Sequence, residues 1–238
     1  MRYVRGTELP GLITRYANDF DPDGDGMKVF NEEAYPLVEM GAPHLCADRV
    51  DYALRDAVGF GKLPIEEVRQ IFASLRAYPD ANSPNRILVM QSDEQLALKF
   101  ARAYLAIDRD VWSNPANIDM YKRAGQVIGD AVRSGALDEE DLWRLSDEEF
   151  WEALRGATDD AGRDVMRGLE VEGLPREEDI KGLPVGTKVR TLDPDVLCVG
   201  RGVESGEGYQ PLSGLSPAWV KEREEYIQGR RRLLGEGV

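Results

Sequence analysis

The feature that most constrains the fold is a helical repeat of apolar residues between positions 43 and 58. The apolar side chains recur at intervals of three and four residues, at Cys46, Val50, Ala53, Leu54 and Ala57. Residues at this spacing lie on one side of an α-helix, so the pattern predicts a helix with one buried face. Most of the positions between them are polar and repeat the same spacing on another face of the helix.

Similar helical patterns recur along most of the chain, with short connections between them. They predict helices at 10–19, 64–78, 93–107, 115–134, 147–157, 159–170 and 217–234. One short β-prone run, RILVMQ at 86–91, is the best strand candidate in the first two thirds of the chain. The predicted fold class is therefore mainly α, with several helices arranged as a bundle.

The composition changes after residue 170, where Gly and Pro become frequent. Two strand-like runs follow, TKVRTL at 187–192 and DVLCVG at 195–200, joined by Asp193-Pro194. They predict a small β-hairpin near 187–199, followed by the terminal helix. We accordingly divide the chain into a helical domain, 1–170, and an extension, 171–238, that contains the hairpin and the terminal helix.

Charge and composition exclude several classes of protein. The 44 acidic and 30 basic residues of the 238-residue chain give a formal charge of −14. Because phosphate binding rests on clustered Lys and Arg, a broad nucleic-acid surface is not expected. No apolar run approaches the roughly 20 residues that span a membrane. Cys46 and Cys198 alone suggest reduced thiols, so we expect a cytoplasmic protein.

The polar face of the helix at 43–58 has two interpretations. Asp51 and Arg55 are four residues apart, the favourable order for a surface ion pair, which contributes about 0.3 kcal/mol. Asp48, Tyr52 and Asp56 share the same spacing and are, in the simpler interpretation, a solvated face. The chain would then be a non-catalytic helical scaffold or a partner subunit.

The same helix resembles a signature of the HD-domain metal-dependent phosphohydrolases. The nearest branch is that of the deoxynucleoside triphosphate triphosphohydrolases and the SAM-and-HD proteins, whose helix reads D, a basic residue, any residue, D-Y, two residues, R-D. In ADRVDYALRD these places are filled by Asp48, Arg49, Asp51, Tyr52, Arg55 and Asp56. The resemblance extends from about residue 10 into the C-terminal region and implies an HD-like helical bundle.

The resemblance implies a role for four of these residues. Asp48 would be a metal ligand and Arg49 would face the substrate phosphates, where its planar donors suit oxyanions. Tyr52 and Asp56 would bind the sugar. The implied reaction is hydrolysis of a nucleotide or another phosphate ester by a metal-activated water.

The sequence departs from the family in its histidines. The family's metal site also takes a histidine and a His-Asp pair, whereas this chain has a single histidine, His44, and no His-Asp dipeptide. The resemblance is therefore to a partial HD domain. It implies that Mn, Fe or Mg would bind only when a helical partner chain supplies the histidines, and that the chain alone is inactive.

An acidic loop at 21–32, DPDGDGMKVFNE, fits the EF-hand pattern D-x-D-x-D-G-x5-E. Calcium would take oxygens from Asp21, Asp23, Asp25, the Met27 carbonyl and Glu32. Pro22 and Lys28 depart from the usual residues of such loops, and the chain has no second loop to pair with. Calcium binding and a solvated connector therefore both remain open for this loop.

Overall fold

The computed structural model describes residues 35–83, 85–91, 93–171, 181–198 and 208–235. The helix predicted at 10–19 and the acidic loop at 21–32 lie outside these residues. The chain divides into two compact units, Met1–Leu105 with Arg190–Arg223 and Ala106–Val189 with Glu224–Val238. The division at residue 170 was based on composition and stays a prediction.

Most of the described residues are helical, which confirms the predicted mainly α fold. The helices are α1 (Ala47–Gly59), α2 (Ile65–Ser74), α3 (Glu94–Ile107), α4 (Pro115–Arg133), α5 (Asp141–Arg144), α6 (Asp147–Ala157), α7 (Asp160–Val171), α8 (Leu212–Leu215) and α9 (Pro217–Leu233). The strands are β1 (Leu75–Tyr78), β2 (Ile87–Met90), β3 (Asp195–Leu197) and β4 (Tyr209–Pro211). A π-helical turn, Asp108–Trp112, follows α3.

The strands form one four-stranded sheet in the first unit, in the order β1-β2-β3-β4. β3 pairs antiparallel with β4 and parallel with β2, where Val196 lies opposite Met90. A small β element in the C-terminal part is thus confirmed, but the predicted pairing of 187–192 with 195–200 is wrong. Both edges of β3 are already occupied, so the 187–192 run cannot pair with it.

β1 shows where tertiary pairing overrides a helical pattern. The sequence predicted one helix over 64–78, whereas α2 ends at Ser74. Leu75–Tyr78 instead forms a strand that pairs antiparallel with β2, which lies in the run predicted as a strand. Pro79 also disfavours helical geometry at Tyr78, because its ring crowds the preceding residue. The helix therefore ends several residues before the proline.

The buried face predicted for α1 is present. Val50, Ala53, Leu54 and Ala57 are all buried. The core of the first unit is completed by apolar residues from the other helices and strands, among them Ile71, Val89, Met90, Phe100, Ala101, Val196, Leu212 and Trp219. The helical repeat at 43–58 therefore fixes which side of α1 faces this core.

Local sequence signals set the ends of two helices in the second unit. The Asn114 side chain accepts a hydrogen bond from the Ala116 amide at 3.0 Å, and Pro115 occupies the first helical position of α4. At the start of α6 Ser146 and Glu149 form a capping box, in which each side chain bonds the other residue's backbone amide. The core here consists of Val127, Ala131, Leu137, Leu154 and Met166.

A buried polar cluster lies beside the π-helical turn of the second unit. The Tyr226 hydroxyl donates a hydrogen bond to the fully buried Asp108 carboxylate at 2.8 Å. Arg230, which is also buried, donates to the Ser113 carbonyl at 2.9 Å. Burial, and then the neighbouring Asp108 charge, raise the pKa of Tyr226 far above its ordinary value. Tyr226 therefore acts as a neutral hydrogen-bond donor.

Cys46 and Cys198 are both free thiols and both buried, which agrees with the expected reduced state. In the part of the chain that the structure describes, no helix is long and apolar enough to cross a membrane.

Substitution of Tyr226 tests the buried cluster. Tyr226→Phe removes one donor to the buried Asp108 carboxylate, and we expect the free energy of unfolding to fall by about 1–3 kcal/mol. Tyr121→Phe is the control, because Tyr121 is 74% exposed and we expect no measurable change there. Chemical denaturation of both variants makes the comparison, and equal stabilities would show that the Asp108 contact contributes nothing.

Candidate functional site

The first turn of α1 is fixed by contacts to the chain that precedes it. The Ala47 and Asp48 amides donate to the carbonyls of Leu37 and Val38, at 2.8 and 3.2 Å. The Cys46 sulfur caps the helix by accepting from the Arg49 amide at 3.4 Å. The first amides of a helix have no partner within the helix itself, so these contacts determine where α1 begins.

The residues predicted to bind metal and sugar lie along one side of α1. Asp48, Tyr52 and Asp56 are spaced four residues apart within the helix, and such residues stack on the same side. Asp48 is exposed, while Tyr52 and Asp56 are half-buried. The structure therefore brings these three side chains to one surface, away from the buried Ala53 and Ala57.

Tyr52 is held by a residue that the sequence did not identify. Its hydroxyl lies 2.9 Å from the hydroxyl of Tyr104 on α3, and the two ring centroids are 6.5 Å apart. Tyr104 is only 1% exposed. Because a buried tyrosine hydroxyl requires a hydrogen-bond partner, a Tyr within the apolar stripe of α3 was the signal that could have pointed to this contact.

Arg49 points inward and not along the exposed side of α1. Its Nη1 donates to the carbonyls of Met40 and His44, at 2.9 and 2.6 Å, and lies 3.2 Å from the Cys46 sulfur. Its Nη2 lies 3.4 Å from the Glu39 carboxylate. The guanidinium thus joins the segment before α1 to the helix itself.

Two opposing effects set the pKa of the Arg49 guanidinium. Burial is the largest single effect and by itself lowers this pKa. Electrostatic interactions with Cys46, Tyr104, Tyr52 and Glu39 together outweigh burial, so the pKa of Arg49 ends above its ordinary value. The predicted contact between Arg49 and a phosphate stays a prediction; in this structure its closest acceptors are backbone carbonyls.

The remaining motif residues form the surface ion pair that their spacing predicts. The Arg55 guanidinium lies 2.9 Å from the Asp51 carboxylate, and both side chains are about two thirds exposed. Such exposed pairs contribute between about 0 and 1 kcal/mol to stability. Asp51 and Arg55 therefore need no catalytic role to explain their arrangement.

The single histidine lies close to a different carboxylate. His44 Nδ1 is 3.3 Å from the Oδ2 atom of the buried Asp195.

Among the residues that the structure describes, no group of three or more His, Cys, Asp or Glu side chains could hold a metal ion. Asp48 offers a single carboxylate, so these residues do not fit a complete metal site. The calcium site predicted at 21–32 falls outside the described residues and stays a prediction.

The chain resembles two known proteins over most of its length. It is 46% identical over 229 residues to the metal-dependent phosphohydrolase cns2 of Cordyceps militaris, an alignment that covers 96% of this chain and 62% of that protein. It is 25% identical over 200 residues to the uncharacterized protein YdhJ of Bacillus subtilis, covering 84% of this chain and 58% of that protein.

The chain spans less than two thirds of the length of each of these curated relatives. No family model and no solved structure matches the chain. The 46% identity supports the resemblance to metal-dependent phosphohydrolases that the α1 motif indicated.

Proposed function

We propose that this chain forms part of an HD-type metal-dependent phosphohydrolase that acts on a nucleotide or another phosphate ester. The observation that carries the proposal is the 46% identity, over 229 residues, to a protein named as a metal-dependent phosphohydrolase. The arrangement of α1 is consistent with it, because the motif residues Asp48, Tyr52 and Asp56 share one side of the helix.

The proposed roles follow the chemistry of each side chain. The exposed Asp48 carboxylate provides one hard oxygen ligand for Mn, Fe or Mg. Tyr52, restrained by the Tyr104 hydroxyl, and the half-buried Asp56 contact the sugar. Arg49 adds positive charge near the phosphates. The described residues of this chain supply only part of such a metal site.

The remaining metal ligands are proposed to come from another polypeptide. The single histidine of the sequence, His44, lies beside Asp195, and the described residues hold no cluster of three metal-binding side chains. A helical polypeptide that carries a histidine and a His-Asp pair would complete the site against the Asp48 side of α1. The chain by itself is then inactive.

Metal content tests this proposal. We expect the purified chain to hydrolyse no nucleotide with Mn²⁺, Mg²⁺ or Fe²⁺. We expect it to bind metal when it is co-expressed with a helical, histidine-bearing product of the adjacent upstream reading frame. Asp48→Ala should lower the metal content of that complex without dissociating it, because it removes one ligand. Glu66→Gln is the matched control, an exposed acid on α2 outside the motif.

Turnover by the chain alone that disappears in Asp48→Ala would contradict the partner requirement. A complex whose metal content is unchanged by Asp48→Ala would remove Asp48 from the proposed site. Elemental analysis of each purified protein, combined with size-exclusion chromatography, separates these results.

Arg49 offers a second test, because its burial predicts a structural role in addition to the proposed phosphate contact. Arg49→Ala leaves the Met40 and His44 carbonyls without their donor, and we expect the free energy of unfolding to fall by about 2–4 kcal/mol. Arg55→Ala, an exposed arginine of the same helix, should change it by less than about 1 kcal/mol.

Chemical denaturation of the two variants measures the difference. If Arg49→Ala is as stable as Arg55→Ala, the guanidinium does not hold the segment before α1.

A further inference from the structure

An apolar groove runs between α1 and α2, with β1 and β2 at its base. We refer to it as the α1–α2 groove; its volume is about 1060 Å³. The apolar residues that line it include Val50, Leu54, Val58, Val68, Phe72 and Leu88. It lies entirely within the first unit, and Asp48, Tyr52 and Asp56 are not among its lining residues.

Large apolar side chains are exposed along this groove. Phe72 is 67% exposed, Ile65 47% and Val58 37%. Isolated exposed apolar residues are common on proteins, but several of them along one groove mark a surface that binds a partner. The contact would remove these side chains from water, which stabilises the complex.

The shape and lining of the groove favour a polypeptide over a small molecule. Its lining residues on α1 extend from Ala47 to Gly59, which corresponds to ~18 Å or about three helical turns. Small-molecule sites place a few polar groups so that they orient the ligand. Here the charged lining residues are Asp51, Arg55, Arg69 and Arg76, all of them exposed.

The four charged lining residues form the rim of the groove, and their charges indicate the chemistry of the partner. Three arginines and one aspartate line the groove, in a chain whose formal charge is −14. Arg55 pairs with Asp51 and Arg69 with Glu66, but these exposed pairs are weak and an arginine has five N–H donors. A partner with carboxylates beside its apolar residues would therefore complement the rim.

The groove is continuous with the proposed active-site side of α1. Arg55 follows Asp48 by seven residues, so the two lie nearly in line along the helix, ~10 Å apart. A helix seated in the groove with its flank against Arg55 would thus lie beside Asp48. The chain covers 62% of its metal-dependent phosphohydrolase relative, which has further polypeptide beyond the matched part.

We propose that the α1–α2 groove binds an amphipathic helix whose apolar stripe is flanked by Asp and Glu, and that this helix belongs to the polypeptide that completes the metal site. The identity of that polypeptide rests on the proposed function. The binding chemistry rests only on the apolar lining and on the basic rim.

Peptide binding to the full chain tests the chemistry. The probe is a fluorescent helical peptide of about 18 residues, long enough to form a helix, with a Leu stripe flanked by Glu. A second peptide has Lys in place of every Glu. We expect the Glu peptide to bind the chain at least tenfold more tightly than the Lys peptide, and Arg76→Glu to reduce that preference.

Two matched variants locate the binding site. Phe72→Glu should weaken binding of the Glu peptide at least tenfold, because it places a charge in the groove. Phe60→Glu should leave binding unchanged, because Phe60 is 49% exposed but does not line the groove. Absence of binding by the Glu peptide, or equal weakening by the two variants, would overturn the proposal.

Two other occupants would give different results. If a second copy of the chain fills the groove, the protein should self-associate with rising concentration and Phe72→Glu should abolish this. If the chain's own N-terminal residues fill it, a variant with Leu12→Asp and Ile13→Asp should bind the Glu peptide more tightly than the unaltered chain. Either result would overturn the assignment to another polypeptide.

The outcome of the peptide experiment can be distinguished from the outcome of the metal-content test of the proposed function, because peptide binding is measured without metal or substrate. A chain that binds the Glu peptide at the groove, but whose complex never holds metal, would refute only the phosphohydrolase proposal. A metal-binding complex that persists unchanged in Phe72→Glu would refute only the groove as its docking surface.

Discussion

The buried guanidinium of Arg49 joins the segment before α1 to the helix that carries Asp48, Tyr52 and Asp56. A buried cation destabilises a protein unless hydrogen bonds and opposite charges compensate for the lost water. Met40 and His44 provide carbonyl acceptors, and Glu39 lies 3.4 Å away. These contacts hold the segment before α1 against its first turn and, together with the amide contacts of Ala47 and Asp48, they fix the position of Asp48.

α1 presents three different surfaces because successive residues of a helix are rotated by about 100°. Ala53 and Ala57 face the core, Asp48 and Asp56 lie along the proposed active-site side, and Val58 lines the α1–α2 groove. One helix therefore connects the hydrophobic core, the proposed site and the proposed docking surface. A partner seated in the groove would be positioned by the same element that carries Asp48.

The sequence predicted the features that depend on local spacing, and it missed those that depend on tertiary packing. The buried stripe of α1, the strand at 86–91 and the Asp51–Arg55 pair follow from residues close together in the chain. The β1–β2 and β3–β4 pairings were missed because packing chooses strand partners. For the same reason, helical periodicity could not reveal the hydroxyl contact from Tyr104, 52 residues from Tyr52. The sequence motif also could not show that the Arg49 side chain points inward, because a motif specifies residue types and not which backbone carbonyls lie within hydrogen-bond distance of them.

Asp56 bears most directly on the choice between a solvated scaffold helix and a functional one. Helix stability accounts for Asp48, because a negative charge in the first turn interacts favourably with the helix dipole by about 0.3–1 kcal/mol. It also accounts for Asp51, through the pair with Arg55. Asp56 lies in the last turn of α1, where the dipole disfavours a carboxylate. The dipole therefore does not explain an aspartate at this position. In the proposed phosphohydrolase this carboxylate accepts a hydrogen bond from a sugar hydroxyl, whereas in a scaffold helix it is held only by contacts within the protein.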